Sequence, residues 1–459
     1  MDVHLEWPDY DRMPRGCRII DFPEFMDARG GLSFAEGEGH IPFAVERVFW
    51  LYNLSGCHSR GGHSHGHCAQ VVVAVHGEFD LFLDDGTVST TIHLDSPHRG
   101  VLIAPTVWDE LKNFAEGTVV MVMASHHFDA EDYISDYEEF RSELVELRPY
   151  SSICAEEWDV FVDKAKNGTF LYKRGYMDYH ADRFADCSLM FYKRGELIGL
   201  LPASWNKSRT MVTSHGGLTY GAIILSEKAT TVDTYHMMSS ASAWFSHHLG
   251  AKEWQYKALP YIYHAVPSDE DLYALFRMDA RLVGRAVSSA ISRERHIPMQ
   301  ASRKYCIKKS RRQNIIYEES GAWREFWSLL EKVLKDRHKT SPVHSLDEIE
   351  LLVSRFPENI HLLVARHEGN MVAGAVVYET DMVVHTQYLA VSNEGTTYHA
   401  LDGLIAFLLE ERYVDKPYVD FGTSMQPGTI ELNEGLAFQK EGFGARAVVY
   451  DMYKLKIEN

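Results

Sequence analysis

From residue 17 to residue 128 the chain offers one strand pattern after another and no run with helical periodicity. Segments such as ERVFWLYNL, QVVVAVHGEFDLFLDDG, TIHLDS and GTVVMVMASHHF cluster or alternate β-formers, and Gly, Pro and the Asp84–Gly86 turn punctuate them. Many short strands without crossover helices restrict this part to antiparallel pairing, hence to a sandwich or a barrel. The next segment, AEDYISDYEEFRSELVELRP, predicts a helix with Tyr133, Tyr137, Phe140 and Leu144 on one face. Pro149 follows and places a domain boundary near residue 150.

Beyond that point the pattern turns to mixed α/β. Residues 190–201 read as strand, tight turn, strand, and residues 362–377 repeat the form, with Gly195 and Gly369 at the turns. Each hairpin is followed by a strand ending in His, MVTSH at 211–215 and MVVH at 382–385. The repeat predicts two related α/β domains with a joint near residue 300. A length of 459 residues fits roughly three domains at about 150 residues each. The expected division is therefore 1–150, 151–300 and 301–459.

Charge narrows the function classes. Residues 1–150 carry 10 Lys+Arg against 26 Asp+Glu, a balance of −16, and the remainder of the chain is near neutral at −3. Neither part has the basic surface that nucleic-acid binding needs. An anionic ligand in the first part must be held by specific arginines. No apolar stretch approaches the length of a membrane span, and the N-terminus has no apolar run of a secretory signal. Six cysteines with no CxxC pair fit free thiols in a reducing cytoplasm.

The densest chemistry lies in Arg60-Gly-Gly-His63-Ser-His65-Gly-His67. Three readings compete for it: a zinc site with Cys57 and Cys68, an iron or manganese site with both rings of His-x-His on one side of a strand, and metal-free acid/base chemistry. The spacing is similar to that of the metal-binding cupins, including Gly77, Gly100, Pro105 and Asn113. However, Gln70 stands where a ligand Glu belongs and Asp109 where a ligand His belongs. Half the ligand set is missing, which favours acid/base work without metal.

At these residues the chain resembles the sugar-nucleotide 3,4-ketoisomerases. The shared series is DARGGL (27–32), IPFAVERV (41–48), RGGHSH (60–65), LDDG (83–86), VWDE (107–110), MAS (123–125) and DYISDY (132–137). The resemblance implies an antiparallel cupin barrel that pairs into a homodimer. It also implies conversion of dTDP-4-oxo-6-deoxyglucose into a 3-oxo isomer through an enediol. His63 matches the catalytic base, and His65 and Arg60 would complete the polar wall. Arg47, Gln70, His98, Arg99 and Asp109 would contact substrate. Arg29 resembles the branch that forms the galacto-configured product. Two positions depart from the family: Phe49 replaces an active-site Tyr, and Asp109 replaces a His.

The second part carries Asp420-Phe-Gly-Thr-Ser424 and then LNEGLAFQKEGFG (432–444). KPYVDFG reads as a strand end, which would put Asp420 and Ser424 at a sheet edge and loop, where α/β folds bind ligands. With RHKTSPVHS (337–345), HTQYLA (385–390) and SHGGLTYG (214–221), this part resembles tandem GNAT acyltransferases, the group that includes the Fem-type enzymes. The resemblance is closer to nucleotide-sugar N-acyltransferases of the same build. It implies acyl-CoA as donor (acetyl-CoA or 3-hydroxybutyryl-CoA) and a dTDP-3-amino-3,6-dideoxyhexose as acceptor. His385 and Asp420 are the candidates for deprotonating the amine, with Tyr388, Ser424, His215 and Tyr220 at the substrate. The strand–loop–helix LAVSNEGTTYHALDGLIAFLL stands at the pyrophosphate loop, with Ser392, Gly395 and Thr396 as cofactor contacts, although only Gly395 keeps that motif. Lys308, Lys309, Arg311 and Arg312 read either as a phosphate contact or as a solvated basic helix.

Two enzymes of one surface-glycan pathway, as for O-antigen in lipopolysaccharide, would thus share a chain. Two other readings remain: a barrel that binds sugar nucleotide without catalysis, and a Fem-type ligase that uses aminoacyl-tRNA. Near-neutral charge and the lack of sustained heptads weigh against the second.

Overall fold

The computed structural model describes residues 13–37, 39–54, 56, 58–86 and 88–457. The chain divides into two compact units. The first runs to Glu146 and includes the turn Lys193–Glu196, and the second comprises the rest. No helix among the described residues is long and apolar enough to cross a membrane.

The first unit is two five-stranded antiparallel sheets facing one another. One runs Arg18–Asp21, Arg99–Ile103, Gln70–His76, Val119–Ala124, Arg47–Leu51. The other runs Tyr133–Ile134, Arg60–His65, Trp108–Lys112, Phe79–Asp84, Ser89–Leu94. Strand alternation divides each set of side chains between two faces. In Gln70–His76, Val72 and Ala74 enter the interior with Leu81, Leu83, Val101 and Val122. Val71 and Val73 instead pack on the outer face with Ile20, Phe22 and Ile41. Burial on both faces explains the unbroken apolar run VVVAV.

The helix predicted across 130–149 is broken. Residues Ala130–Asp132 form one 3-10 turn, Tyr133–Ile134 are strand, and the helix is only Tyr137–Glu143. The Asp136 side chain accepts from the Glu139 amide and so caps the helix start. Tyr133 pairs in register with His65, and that pairing outweighs its helical spacing from Tyr137.

The second unit is organised by one eleven-stranded sheet. Both predicted hairpins form, as Leu189–Lys193 with Glu196–Leu201 and as Ile360–His367 with Asn370–Glu379. In each half a later strand has a parallel neighbour reached through a helix. Met211–Thr213 pairs with Glu253–Lys257, and Val383–Val391 pairs with Tyr418–Thr423. The halves do not end separately. The last strand, Arg446–Lys456, lies between Glu253–Lys257 of the first half and the long strand Arg281–Ser292. The expected joint near residue 300 therefore falls inside one hydrogen-bonded sheet.

Two details of this sheet position the chemistry. Val383–Val391 runs nine residues but pairs with Tyr418–Thr423 only through His385 and Asp420, so the two strands part just beyond these residues. On its other side the register breaks between Val376, which faces Tyr388, and Val377, which faces Thr386. Gln387 is the extra residue of a bulge.

Candidate functional sites

In the barrel the strand Arg60–His65 lies between Tyr133–Ile134 and Trp108–Lys112. Asp109 faces His63 but Glu110 faces Gly61, which makes Gly62 the extra residue of a bulge. Gly61 and Gly62 both have positive φ, +73° and +70°, which side-chain-bearing residues rarely adopt. The bulge brings Arg60, opposite the core residue Leu111, back to the face that carries His63 and His65. Three residues that simple alternation would separate thus share the interior side, with Arg60 at the exposed start of the strand.

The two imidazoles have different tasks. His65 is buried, and its Nδ1 lies 2.9 Å from Asp132 Oδ2 while Gln70 Nε2 lies 2.8 Å from its Nε2. With the Gln70 amide donating, Nδ1 carries the hydrogen given to Asp132. Burial lowers the His65 pKa, so the ring is neutral and both nitrogens are engaged. Burial alone would raise Asp132, but bonds from His65 and from the His67 and Cys68 amides hold it below the usual carboxylate range. His63 keeps a free edge: its ring stands perpendicular to His65 at 5.0 Å, and Tyr133 packs 4.9 Å and 4.2 Å from the two rings. Its Nε2 is 3.9 Å from Asp109 Oδ2, beyond hydrogen-bond range. Asp109 is buried, that oxygen has no partner, and burial pushes its pKa up to about 6.

The remaining predicted barrel residues divide. The Arg47 guanidinium lies over Phe49 and Phe128, and its buried Nε has no partner. Arg29, His98 and Arg99 pair instead with acids of the first strands. Arg29 bonds Asp27 at an exposed hairpin turn, His98 Nδ1 is 3.2 Å from Glu24, and Arg99 bonds Asp21 at 2.8 Å. Of the thiols named for a zinc site, Cys57 lies outside the described residues. Cys68 Sγ lies near His65 and Asp132, which are already bonded to each other. Asp132 and Tyr133 were missed as site residues. Their signal, DYISDY, was present, but its pairing with His65 is a long-range contact.

In the second unit Asp420 is the centre. It was expected at a sheet edge, but it lies mid-strand and fully buried, between Arg281–Ser292 and Val383–Val391. His385 Nδ1 is 2.9 Å away, Tyr450 donates to Oδ2 at 2.7 Å, Tyr263 donates at 3.3 Å, and Ser288 donates to Oδ1. The Gly422 amide adds a bond of 3.0 Å. Burial would raise the Asp420 pKa, but His385 and these donors outweigh it and hold the carboxylate ionised. His385 likewise was expected at a strand end; the strand continues to Val391. The imidazole borders a narrow cavity with Tyr220, Tyr263, Tyr378 and Gln387. Lys440 Nζ donates to the Gly422 and Thr423 carbonyls and so fixes the turn after Asp420.

Tyr220 donates to Thr169 Oγ1, and its ring packs 5.0 Å from Tyr263, beside this network. Ser424 is buried, and its Oγ has no partner. Tyr388 bonds His344 Nδ1 at 2.7 Å instead of joining His385, and burial lowers the His344 pKa to about 4. His215 is buried against His180 at 5.5 Å, outside the Asp420 network, and burial lowers its pKa to about 3. Lys257 Nζ holds the following loop through the His215 and Leu218 carbonyls. Ser392 caps the helix Asn393–Thr397 by accepting from the Gly395 amide, and Thr396 bonds back to the Ser392 carbonyl. A Cβ at Gly395 would lie 2.2 Å from the Val372 carbonyl oxygen, so close packing against the strand already requires this glycine.

A double-sheet antiparallel barrel with imidazoles, an amide and buried carboxyls on its inner wall defines the first unit as a cupin. Residues 15–145 match the family FdtA (WxcM-like, C-terminal). A TDP-4-oxo-6-deoxy-alpha-D-glucose-3,4-oxoisomerase from Aneurinibacillus thermoaerophilus is 36% identical over 130 residues, which are 28% of this chain and 94% of that protein. Through its first unit the chain belongs to this family of sugar-nucleotide 3,4-ketoisomerases. The solved QdtA 3,4-ketoisomerase from Thermoanaerobacterium thermosaccharolyticum, a His-to-Asn mutant in complex with TDP-4-keto-6-deoxyglucose, is 33% identical. It covers 28% of this chain and 95% of its own, with a TM-score of 0.28. FemX aligns with 68% of this chain and 97% of its own at a TM-score of 0.51 and 11% identity, a likeness of fold.

Asp109 yields a pH prediction. Its folded pKa of about 6 stands above the ordinary aspartate value of about 3.8. Its contribution is therefore intact below about pH 4 and is lost as pH rises through about 6, at a cost of about 3 kcal/mol. Asp109→Asn removes that ionisation. Thermal melts should show the variant gaining on the parent from pH 4 to pH 7. A difference constant over this range would mean that Asp109 does not ionise in a dry interior.

Proposed function

We propose that the chain is a bifunctional sugar-nucleotide enzyme. The barrel isomerises dTDP-4-oxo-6-deoxyglucose to the 3-oxo sugar, and the second unit transfers an acyl group to the 3-amino sugar made from that product. The observation that carries the first activity is the division of labour between the imidazoles. His65 is locked neutral between Asp132 and Gln70, while His63 presents a ring that is free to take a proton.

The chemistry follows from the acidity of the C3 hydrogen beside the C4 ketone. His63 removes it, the electron pair moves to the C4 oxygen, and the imidazolium returns a proton at C4. Arg47, with an unpartnered buried Nε, would stabilise the developing enediolate or hold a phosphate. The galacto product is proposed from Arg29. Proton NMR in D2O tests the reading: the parent should incorporate deuterium and form a 3-oxo species, and His63→Asn should lose both while still binding dTDP. A parent that binds dTDP but exchanges nothing would reduce the barrel to a docking module.

The barrel acts as a homodimer in this reading. Val48, Trp50, Tyr52 and Val75, with Phe25, Met26 and Leu32 of the first hairpin, are apolar side chains left 41% to 70% exposed, which a second copy would cover. Sedimentation equilibrium should give twice the chain mass for the parent and a shift toward monomer for Trp50→Asp. A monomeric parent would overturn this part.

For the second activity the support is the fold likeness to FemX and the His385–Asp420 pair at the point where two parallel strands part. Nδ1 of His385 is held by Asp420, so Nε2 is the atom that can deprotonate an ammonium group. Buried hydroxyls without partners, Thr386 Oγ1 and Ser424 Oγ, leave polar capacity for a ligand near these strands. Acyl-CoA, acetyl or 3-hydroxybutyryl, would supply the thioester, and Ser392, Gly395 and Thr396 are proposed to hold it. The unpaired backbone of the Gln387 bulge would face its carbonyl. His385→Gln should lower kcat for CoA release with a dTDP-3-amino-3,6-dideoxyhexose about 100-fold or more, with KM little changed. Transfer from aminoacyl-tRNA but not from acyl-CoA would instead make this unit a Fem-type ligase.

A further inference from the structure

Isomerisation moves two hydrogens, not one. Carbon-bound hydrogen leaves C3 and appears at C4, and oxygen-bound hydrogen leaves O3 and appears at O4. His63 accounts for the first. The second needs another group at the same place, and Phe49, on the strand Arg47–Leu51 of the barrel, has no hydroxyl to offer.

The buried and half-buried acids of the barrel differ in their occupation. Asp84 accepts from the Gly86 amide at 2.7 Å and from the Tyr137 hydroxyl at 2.5 Å. Asp132 accepts from His65 and two backbone amides. Asp109 is only 3% exposed, yet its Oδ2 has no partner. An unsatisfied buried carboxyl costs several kcal/mol in general, so its retention calls for a reason. It directly opposes His63 across the ladder, with Oδ2 3.9 Å from Nε2. That gap is too long for a bond between them and wide enough for one hydroxyl oxygen to contact both. Gly61 makes room for this arrangement, because a Cβ there would lie 2.6 Å from Asp109 Oδ1. The other titratable groups facing Asp109 are Glu110 beside it and the Cys17 thiol, while apolar Leu83 opposes it from the neighbouring strand.

We infer that Asp109 is the second proton carrier of the barrel, acting on the hydroxyl hydrogen while His63 acts on the carbon-bound one. The inference rests on the isomerase reading above. His63 takes the C3 hydrogen, the C3–H bond breaks, and its electron pair forms the enediolate on O4. The enediolate then collapses: the O3–H proton passes to the Asp109 carboxylate, C3=O3 forms, and the imidazolium N–H delivers its proton to C4. Asp109 finally gives its proton to O4. One hydrogen has moved between carbons and one between oxygens, no oxidant or reductant is consumed, and both side chains return to their starting state. A carboxyl raised toward neutrality by burial suits such a shuttle.

The test separates the two steps. Full-length Asp109→Asn is incubated with dTDP-4-oxo-6-deoxyglucose in D2O and followed by proton NMR. Washing of deuterium into C3 should persist within a few-fold of the parent, while formation of the 3-oxo sugar falls about 100-fold or more. Asp109→Ser, read the same way, serves if the Asn variant fails to bind dTDP. Isomerisation at the parent rate in either variant would overturn the inference, and so would a parallel loss of exchange and isomerisation, which marks a residue that merely supports His63. A parent that neither exchanges nor isomerises would overturn the isomerase reading itself and this inference with it.

Discussion

A carboxylate taken out of water must be surrounded by donors, and the second unit is built around one that is. Asp420 is fully buried in the eleven-stranded sheet. Its partners come from four other parts of the chain: Ser288 on one neighbouring strand, His385 on the other, Tyr263 on the 3-10 turn Tyr261–Tyr263, and Tyr450 on the last strand. Each donor gains a charge-assisted bond in a dry setting. Loss of the carboxylate would strand them together, which makes this cluster the point where the halves of the sheet depend on one another.

The barrel uses the same physics with two outcomes. Asp132 is given three donors and stays ionised, so it can orient His65. Asp109 is given none at Oδ2, and burial moves it toward the neutral form. Environments that push two acids apart beside two imidazoles assign different roles to residues of identical type. His63 and His65 are separated in the same way: one ring has both nitrogens occupied, and the other keeps a free edge.

Much of this was legible beforehand. The strands of the barrel, the Asp84–Gly86 hairpin, the change of pattern near residue 150 and the repeated hairpins all rest on local periodicity and turn chemistry, which a single chain displays. The pairings were not. Tyr133 satisfies a helical spacing with Tyr137, and only its partner His65, almost seventy residues away, decides that it is strand. Asp420 reads as the end of a strand because Gly422 follows it. The strand Arg281–Ser292, which closes over Asp420, is far off in the chain. Ser392 and Gly395 look like a loop around a ligand, yet the visible reasons for them are a helix cap and close contact with Val372.

The amino-acid order by itself determined most of the strands, where tight turns fall, and which motifs carry the imidazoles and carboxyls, His63 and His65 in one unit and His385 and Asp420 in the other. Those properties depend on side-chain type and short-range spacing. The tertiary structure decided which of them meet: that His65 is held and His63 is free, that Asp109 lacks a donor, that Asp420 has several, and that the last strand joins both halves in one sheet. Burial and partners set the protonation of an acid or an imidazole, and both arise only when distant strands pack together.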